Sequence, residues 1–253
     1  MAALYDKFAP FYDLEYDHKE DDLDFYLDLA QEIGSPVLEI GAGSGRITIP
    51  LAEEGQTVWG VDNSSQMLDR CAQHINQIPQ NIVRNINLVH ADMRNFSLDT
   101  KFPLCIIPFR AFLHNLTFKD QISTLNCINQ HLMPGGVLAF DLFVPLYQVL
   151  SNREWQDEIL EDELAYENSG VSVICRIEHD PVKQLLNIFN TYKQKNAKEK
   201  TLKMVYRYIF RYEMELLLKL TGFEVEHLYG NFQKQAYDYY SGLSIFVARK
   251  INE

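Results

Sequence analysis

Apolar and polar positions follow helical and strand-like patterns over the first 145 residues of the chain. Apolar residues recur at helical spacing from 20 to 33, and this stretch ends at a Gly-Ser-Pro break. Short apolar runs then predict five strands, at 37–40, 57–61, 86–90, 103–108 and 136–142. Helices are predicted between most of these strands, at 45–54, 64–77 and 118–132. This alternation predicts an α/β fold with a doubly wound, mostly parallel sheet, in which ligands bind beyond the carboxyl ends of the strands.

The pattern changes after Pro145, where the alternation of helix and strand stops. Three segments rich in β-branched and aromatic residues follow, at 171–179, 184–193 and 201–212. They are joined by an Asp-Pro pair and by a lysine-rich turn. Consecutive strands with short turns predict an antiparallel β meander.

The end of the chain returns to the earlier pattern. A helix at 213–220 precedes two apolar runs, FEVEHLYG and LSIFVARK, which predict a final hairpin and bring the main sheet to seven strands. We therefore predict one domain formed by 1–145 and 213–253, with an inserted antiparallel β subdomain at 146–212. The insert lies beside the mouth of the ligand cleft, and this position predicts a substrate lid.

A glycine-rich loop follows the first predicted strand. The run VLEIGAGSG at 37–45 places glycines at 41, 43 and 45, and the second strand ends at Asp62. Glycines at such a turn let a ligand approach the bare backbone. A carboxylate at the tip of the second strand is placed to accept hydrogen bonds from both hydroxyls of a ribose. The loop and the acid together predict a nucleoside-sized ligand.

The spacing of the loop is GxGxG rather than the GxGxxG of dinucleotide-binding proteins, and Glu39 lies two residues before the first glycine. A carboxylate at this position suits an amino-acid ammonium group better than a pyrophosphate. The pattern therefore favours a ligand that is cationic rather than phosphorylated, and it disfavours a nicotinamide dehydrogenase.

Two further motifs follow in order: HADM at 90–93 and LMPGGVLAFDLF at 132–143. With the glycine loop and Asp62, they resemble the ordered motifs of class I methyltransferases that use S-adenosylmethionine (SAM). The resemblance covers residues 1–145 and returns at 213–250. It implies a Rossmann-like fold, SAM as the cofactor and S-adenosylhomocysteine (SAH) as its product.

The resemblance also implies a set of cofactor-binding residues. The methionine part of SAM is expected beside Glu39, Gly41 and Gly43, and its ribose at Asp62. The other members of the expected set lie in or beside the same strand ends: Ala42, Gly45, Asn63, Met67, Asp92, Met93 and Pro108.

Four of these residues are expected around the nucleoside. Asn63 and Met67 would flank it, and Asp92 would accept a hydrogen bond from the adenine amino group. The backbone of Met93 would meet the adenine ring.

The N-terminal segment YDKFAPFYD resembles the YDxxAxxYD segment of small-molecule N-methyltransferases, including those acting on amino sugars and on peptide N-termini. In those relatives an aromatic residue of this segment closes over SAM. Here Tyr12, with Tyr16 beside it, is expected to shield the sulfonium, and Lys19 to meet the methionine carboxylate. The alternative is an ordinary amphipathic helix whose tyrosines pack on the core.

His114 is the candidate catalytic residue, together with Tyr12. The loop after the fourth strand borders the transferring methyl group in the family, and His114 lies in this loop. It could act as a general base or orient the substrate, or it could simply pack under the loop. The sequence has no cluster of carboxylates typical of a magnesium site, so no metal is expected.

Three arginines are candidate substrate-binding residues: Arg110, Arg176 and Arg207. An inward-pointing arginine could bind a substrate carboxylate with two parallel hydrogen bonds. We expect at least one of the three to face the cleft. The aromatic residues of the insert could instead enclose a cationic amine by cation–π attraction, although part of this set is expected to be core.

The net charge of −12 bears on partners, because it opposes binding to a phosphate backbone. Nucleic acid is therefore not expected as a substrate. The N-terminus lacks the pattern of a signal peptide and no segment offers eighteen consecutive apolar residues, so the interpretation is a cytoplasmic protein without a membrane partner. An exposed aromatic meander would suit a homodimer interface.

The sequence thus predicts a SAM-dependent methyltransferase of a small molecule, with an amine nitrogen favoured as the acceptor because an amine needs no strong base. Two alternatives stay open. One is O- or C-methylation of a small molecule, and the other is a SAM-binding protein without turnover.

Overall fold

A computed structural model of the protein describes residues 4–16, 18–146, 150, 159–165, 170–194 and 197–251. Parts of the predicted insert and of its lysine-rich turn lie outside the described residues.

The main sheet has seven strands and confirms the predicted α/β architecture. Its order is β10-β11-β5-β4-β1-β2-β3. The strands are β1 (Val37–Ile40), β2 (Val58–Asp62), β3 (Ile86–His90), β4 (Phe102–Ile107), β5 (Leu132–Phe143), β10 (Phe223–Tyr229) and β11 (Leu243–Lys250). The first five pair in parallel, whereas β11 runs antiparallel to both β5 and β10. The predicted final hairpin is therefore present at one edge of the sheet.

Helices cover both faces of this sheet, as parallel strands require. They are α1 (Ala9–Tyr16), α2 (Leu23–Ile33), α3 (Thr48–Glu53), α4 (Ser65–Ile75), α5 (Gln80–Val83), α6 (Phe118–His131) and α7 (Arg211–Leu220), with short 3-10 helices at Leu4–Lys7 and Ala111–His114. The central strand β1 is buried along its whole length. Leu38 and Ile40 pack into one hydrophobic cluster and Val37 into the other, because successive side chains point to opposite faces of the sheet.

The inserted segment forms a second, antiparallel sheet in the order β6-β7-β8-β9. Its strands are β6 (Ile159–Ala165), β7 (Val171–Asp180), β8 (Leu185–Gln194) and β9 (Lys200–Arg207). The meander of β7, β8 and β9 confirms the prediction, whereas β6 was not predicted. The last strand also ends earlier than the predicted 212, because α7 begins at Arg211.

One face of the inserted sheet packs into the hydrophobic cluster that also contains Leu38 and Ile40. Its contribution is buried and mostly aromatic or aliphatic: Val171, Val173, Tyr192, Leu202, Met204 and Tyr206. The inserted sheet therefore shares a core with the main sheet and brings β9 to the carboxyl ends of the parallel strands.

Within the part of the chain that the structure describes, no helix has the length and apolar character to cross a bilayer.

Candidate functional site

A cavity of about 330 Å3 lies at the carboxyl ends of the parallel strands, where an open α/β sheet binds its ligands. It is bounded by strand-end loops, by the N-terminal segment and by β9. Its lining residues are Leu4, Tyr5, Tyr12, Gly41, Gly43, Val61, Asp62, Asn63, Met67, Ala91, Met93, Pro108, Phe109, Ala111, His114, Leu116 and Val205. Many of the predicted cofactor-binding residues therefore line the same cavity.

The glycine loop forms the part of this wall that follows β1. Gly41 has φ +78°, and a Cβ atom there would lie 2.8 Å from the Cβ atom of Ala111. Gly45 has φ +95°, and a Cβ atom there would lie 2.6 Å from Cys71 Sγ. A residue with a side chain would be strained at either position, and its Cβ atom would collide with these neighbours. Gly45 faces a neighbouring cavity rather than the main one, and Ala42 is buried behind the loop.

Asp62 ends β2 and fixes the shape of the loop. Its Oδ2 accepts a hydrogen bond from the Gly43 backbone at 2.9 Å, and its Oδ1 accepts one from the Ser64 backbone at 2.8 Å. Burial raises the pKa of this carboxyl group, while the hydrogen bonds oppose that shift. A carboxylate has about four lone-pair sites, so acceptor capacity is left for a ligand beside these backbone donors. Asn63 and Met67 continue the wall from Asp62.

Glu39 lies under the glycine loop and does not line the cavity. Its side chain is 2% exposed and accepts a hydrogen bond from the Thr48 hydroxyl. Burial raises the pKa of this carboxyl group to about 7, and the Thr48 hydrogen bond and the nearby Arg46 only partly oppose the shift. In this structure Glu39 is buried beside the glycine loop and is bonded to Thr48.

Met93 lines the cavity, but Asp92 beside it does not. Arg94 holds the Asp92 carboxylate with Nε 2.8 Å from Oδ1, and Arg94 Nη1 also reaches Asp120 Oδ1 at 2.9 Å. These contacts lower the pKa of Asp92, chiefly through the side-chain hydrogen bond with Arg94. An adenine amino group at Asp92 would therefore compete with Arg94 for the same carboxylate. The sequence did not indicate this ion pair.

The N-terminal segment closes one side of the cavity. Tyr5 and Tyr12 line it, and their ring centroids are 6.1 Å apart. The Tyr16 ring packs against that of Tyr12 in a tilted arrangement, with centroids 5.0 Å apart. Burial raises the pKa of Tyr12, so its hydroxyl is neutral near pH 7.

Lys19 lies in a neighbouring cavity of about 640 Å3 on the far side of this segment, and it does not line the main cavity. Its amino group bonds to Asp21 and lies 5.2 Å from the centroid of the Phe109 ring. In this structure Asp21 pairs with Lys19, so a methionine carboxylate would have to compete with this local acid.

His114 lines the main cavity at the end of the second 3-10 helix. Its Nε2 lies 3.0 Å from the hydroxyl of Tyr5, and its ring also packs against Tyr206. Burial lowers the pKa of His114 to about 4, with a hydrogen bond to the Val205 backbone opposing the shift. The imidazole is therefore neutral at pH 7 and already engaged. This arrangement favours an orienting role over the expected general base.

Of the three candidate arginines, none lines the main cavity. Arg176 bonds to Glu178 and lies over the Phe189 ring, while Arg207 lies 3.6 Å from Glu213. Arg110 is half-buried beside the cavity, with its Nε unpartnered in the structure. At least one of these arginines was expected to face the cleft and bind an acidic substrate. Arg176 and Arg207 do not, because neighbouring glutamates pair with them.

Three polar residues near the site did not appear among the sequence candidates. Arg46 follows the glycine loop and forms a two-pronged ion pair with Asp22, with contacts of 2.5 and 2.7 Å. Glu15 and Asn190 both line a small cavity beside the main one. Arg46 could have been noticed from its place directly after GAGSG, whereas Glu15 and Asn190 are brought together only by the tertiary fold.

The residues present fit SAM. The wall combines bare backbone at Gly41 and Gly43, an acceptor with free lone pairs at Asp62, and apolar side chains such as Met67 and Met93. The uncharged aromatic ring of Tyr12 suits a sulfonium, which ring faces attract.

Comparisons with known proteins agree with this geometry. Residues 37–136 match the family described as a methyltransferase domain. The cypemycin N-terminal methyltransferase of Streptomyces sp is 30% identical over 112 residues, which are 44% of this chain and 43% of that protein. The tRNA 5-carboxymethoxyuridine methyltransferase of Escherichia coli (strain K12) is 32% identical over 103 residues, 41% of this chain and 38% of that protein. The chain thus spans less than half the length of these two curated relatives.

Two solved structures share the fold over nearly the whole chain. The CcbJ methyltransferase from Streptomyces caelestis has a TM-score of 0.81 and 22% identity, covering 90% of this chain and 95% of that one. SAM-bound CalS10, an amino pentose methyltransferase from Micromonospora echinaspora, has a TM-score of 0.65 and 18% identity, covering 94% and 96%. Residues 37–136 therefore form a methyltransferase domain, and the cavity at the glycine loop and the shared fold agree with the class I SAM-dependent methyltransferases that the sequence motifs resemble.

Proposed function

We propose that this protein transfers the methyl group of SAM to the amine nitrogen of a small molecule. The observation that carries the proposal is that His114 and Asp62, the two candidate bases among the described lining residues, are already hydrogen-bonded within the wall. Among the described lining residues, the titratable side chains are Tyr5, Tyr12, Asp62 and His114. Burial raises the pKa of both tyrosines, and burial lowers that of His114 to about 4.

These groups suit an amine better than an alcohol. SAM supplies a methyl group that its positive sulfur already activates, so the protein mainly has to hold a nucleophile in line with it. A hydroxyl acceptor also needs a base, whereas a neutral amine brings its own lone pair. His114 is bonded to Tyr5, and Asp62 is bonded to the loop, so both act here as fixed parts of the wall.

The cofactor contacts follow from the wall. We propose that the backbone at Gly41 and Gly43 meets the methionine part of SAM, that Asp62 binds the ribose, and that Met67 and Met93 flank the nucleoside. Tyr12 lies where an aromatic face can stabilise the sulfonium. In this scheme residues 1–145 and 213–253 form the SAM-binding domain, and the insert at 146–212 contributes to the acceptor site.

Two observations support a small molecule over tRNA. The cypemycin enzyme, which is 30% identical over 112 residues, is named for an N-terminal acceptor. The tRNA methyltransferase matches a similar share of the chain, but the net charge of −12 opposes the approach of a phosphate backbone. O- or C-methylation and SAM binding without turnover are the competing functions.

Calorimetric titration with SAH, with NADH as the control ligand, tests the first part of the proposal. We expect micromolar binding of SAH and none of NADH; the reverse preference would contradict the assignment of the cavity. Incubation with deuterium-labelled SAM and a panel of small amines and matched alcohols, followed by mass spectrometry, tests the second. Labelled methyl groups on alcohols alone would exclude N-methylation.

A further inference from the structure

A second, smaller cavity adjoins the SAM cavity, between helix α1 and the inserted sheet. Its volume of about 10 Å3 leaves room for one small group. Tyr5, Tyr12 and Phe109 line both cavities. The small cavity therefore lies next to the aromatic residues that we place at the sulfonium, where an acceptor nitrogen has to be.

One wall of the small cavity carries a carboxylate that lacks a cation. Glu15, on α1, accepts a hydrogen bond from the Tyr192 hydroxyl. Glu15 is in none of the ion pairs formed by the described residues. Burial raises the pKa of its carboxyl group, while hydrogen bonds from Tyr192 and Tyr16 oppose the shift. A half-buried carboxylate without a countercharge is costly, so this site gains from a cationic ligand.

The lining of the small cavity also includes a buried amide oxygen that lacks a donor. Asn190, on β8, is only 7% exposed, and its Oδ1 has no hydrogen-bond partner. Side chains of a strand alternate between its two faces, so Asn190 shares the inner face with Ile188 and Tyr192. Its neighbour across the strand pair is Leu202. A polar side chain among these residues, with its oxygen unpaired, indicates that a ligand N–H or O–H group belongs beside it.

The other residues that line the small cavity are aromatic or apolar, and the aromatic rings favour a cationic ligand. The rings that border the small cavity are Tyr5, Phe8, Tyr12, Tyr16, Phe109 and Tyr206. Ring faces attract cations, and the net charge of −12 favours the approach of a cationic molecule.

We propose that the small cavity binds the nitrogen of a primary or secondary amine that arrives as an ammonium group. The ammonium pairs with Glu15 as its countercharge and passes one proton to the Glu15 carboxylate, which frees the nitrogen lone pair for the methyl group, while Asn190 Oδ1 accepts a hydrogen bond from a remaining N–H. The inference rests on the proposed function and narrows its substrate class. An alcohol would leave Glu15 without a cation, and a carboxylate would be repelled by it. A quaternary ammonium has no N–H group to give to Asn190.

The test compares three probes that share a ring and differ only in the polar group: cyclohexylamine, cyclohexanol and cyclohexanecarboxylate. Each is titrated into the SAH-saturated protein at a pH where the amine is charged, and binding is followed by NMR. We expect the ammonium to bind about tenfold more tightly than the alcohol, with no binding of the carboxylate.

Two substitutions assign this preference to residues. Glu15→Gln is expected to remove the preference for the ammonium, and Asn190→Leu to weaken ammonium binding about threefold. The matched control is Asn187→Leu, since Asn187 lies on the opposite face of the same strand. SAH affinity is measured for every variant, because a misfolded variant would lose it.

The outcomes separate the two proposals. If SAH binds but the alcohol binds as tightly as the ammonium, or if Glu15→Gln keeps the wild-type preference, the small cavity is not an ammonium site while the SAM cavity stands. If SAH fails to bind the wild-type protein, the proposed function fails, and the ammonium site fails with it.

Discussion

Asp62 connects the glycine loop to the expected ribose. Its two oxygens accept hydrogen bonds from the Gly43 and Ser64 backbones and keep further lone pairs for a ligand. Asp62→Ala is expected to weaken SAH binding by about 1 to 3 kcal/mol, the range for losing hydrogen bonds to a charged group. Calorimetric titration with SAH measures the change.

The control for this substitution is Asp69→Ala, which removes an exposed carboxylate of the neighbouring helix α4. We expect it to leave SAH affinity unchanged. Equal affinities for wild type and Asp62→Ala would show that Asp62 does not contact the ligand.

Residues whose role depends on backbone geometry were predictable, and those whose role depends on the choice of a side-chain partner were not. Gly41, Gly43 and Asp62 were found from sequence because a loop of this shape needs them locally. The pairing of Asp92 with Arg94, and that of Lys19 with Asp21, depends on which of several rotamers the packed protein selects. No periodicity in the sequence carries that information.

Helix α1 is held to the main domain by a cluster of charges, and it carries Tyr12 over the cavity. Arg70 on α4 donates to Asp13 on α1, with Nε 2.8 Å from Oδ2, and His74 Nε2 lies 3.5 Å from the same oxygen. Arg70→Ala is expected to loosen α1 by about 0.5 to 1 kcal/mol, because a half-exposed ion pair contributes little more. Hydrogen exchange of the amides at 4–16 should accelerate, and SAH affinity should fall about two- to fivefold.

The matched control is Arg211→Ala, which breaks the 2.7 Å ion pair between Arg211 and Glu215 within α7. This ion pair is far along the chain from α1. Its amides at 4–16 should exchange as in wild type. If Arg70→Ala also left these amides unchanged, α1 would be held in place by its apolar contacts alone.

Strand boundaries were predicted well where an apolar run ends at a loop, and poorly where aromatic residues continue into a helix. Strand β1 at 37–40 and strand β3 at 86–90 match their predicted bounds. Strand β9 was extended to 212 because Tyr208, Ile209 and Phe210 continue its aromatic pattern. The backbone instead turns before Arg211, where the Glu213 carboxylate accepts a hydrogen bond from the Phe210 N–H at 3.4 Å and helps to start α7.

The two sheets share one hydrophobic core, although the sequence predicts a domain with a separate inserted lid. Val173, Tyr192 and Met204 of the insert pack in the same cluster as Leu38 and Ile40 of the central strand. Since an independent lid would need a core of its own, we expect the chain to unfold as one cooperative unit.

Met204→Ala tests this expectation, because Met204 lies in the insert and is only 7% exposed. Removing its buried side chain should lower the free energy of unfolding by about 2 to 5 kcal/mol. Differential scanning calorimetry should show a single transition in wild type that moves as a whole to lower temperature in the variant. Val182→Ala is the control, since Val182 is 91% exposed at the turn between β7 and β8 and its loss should leave the transition in place. The contrary result would be two separate transitions, of which Met204→Ala moves only one. The insert would then fold on its own, and the small cavity between α1 and β8 would open and close independently of the main sheet.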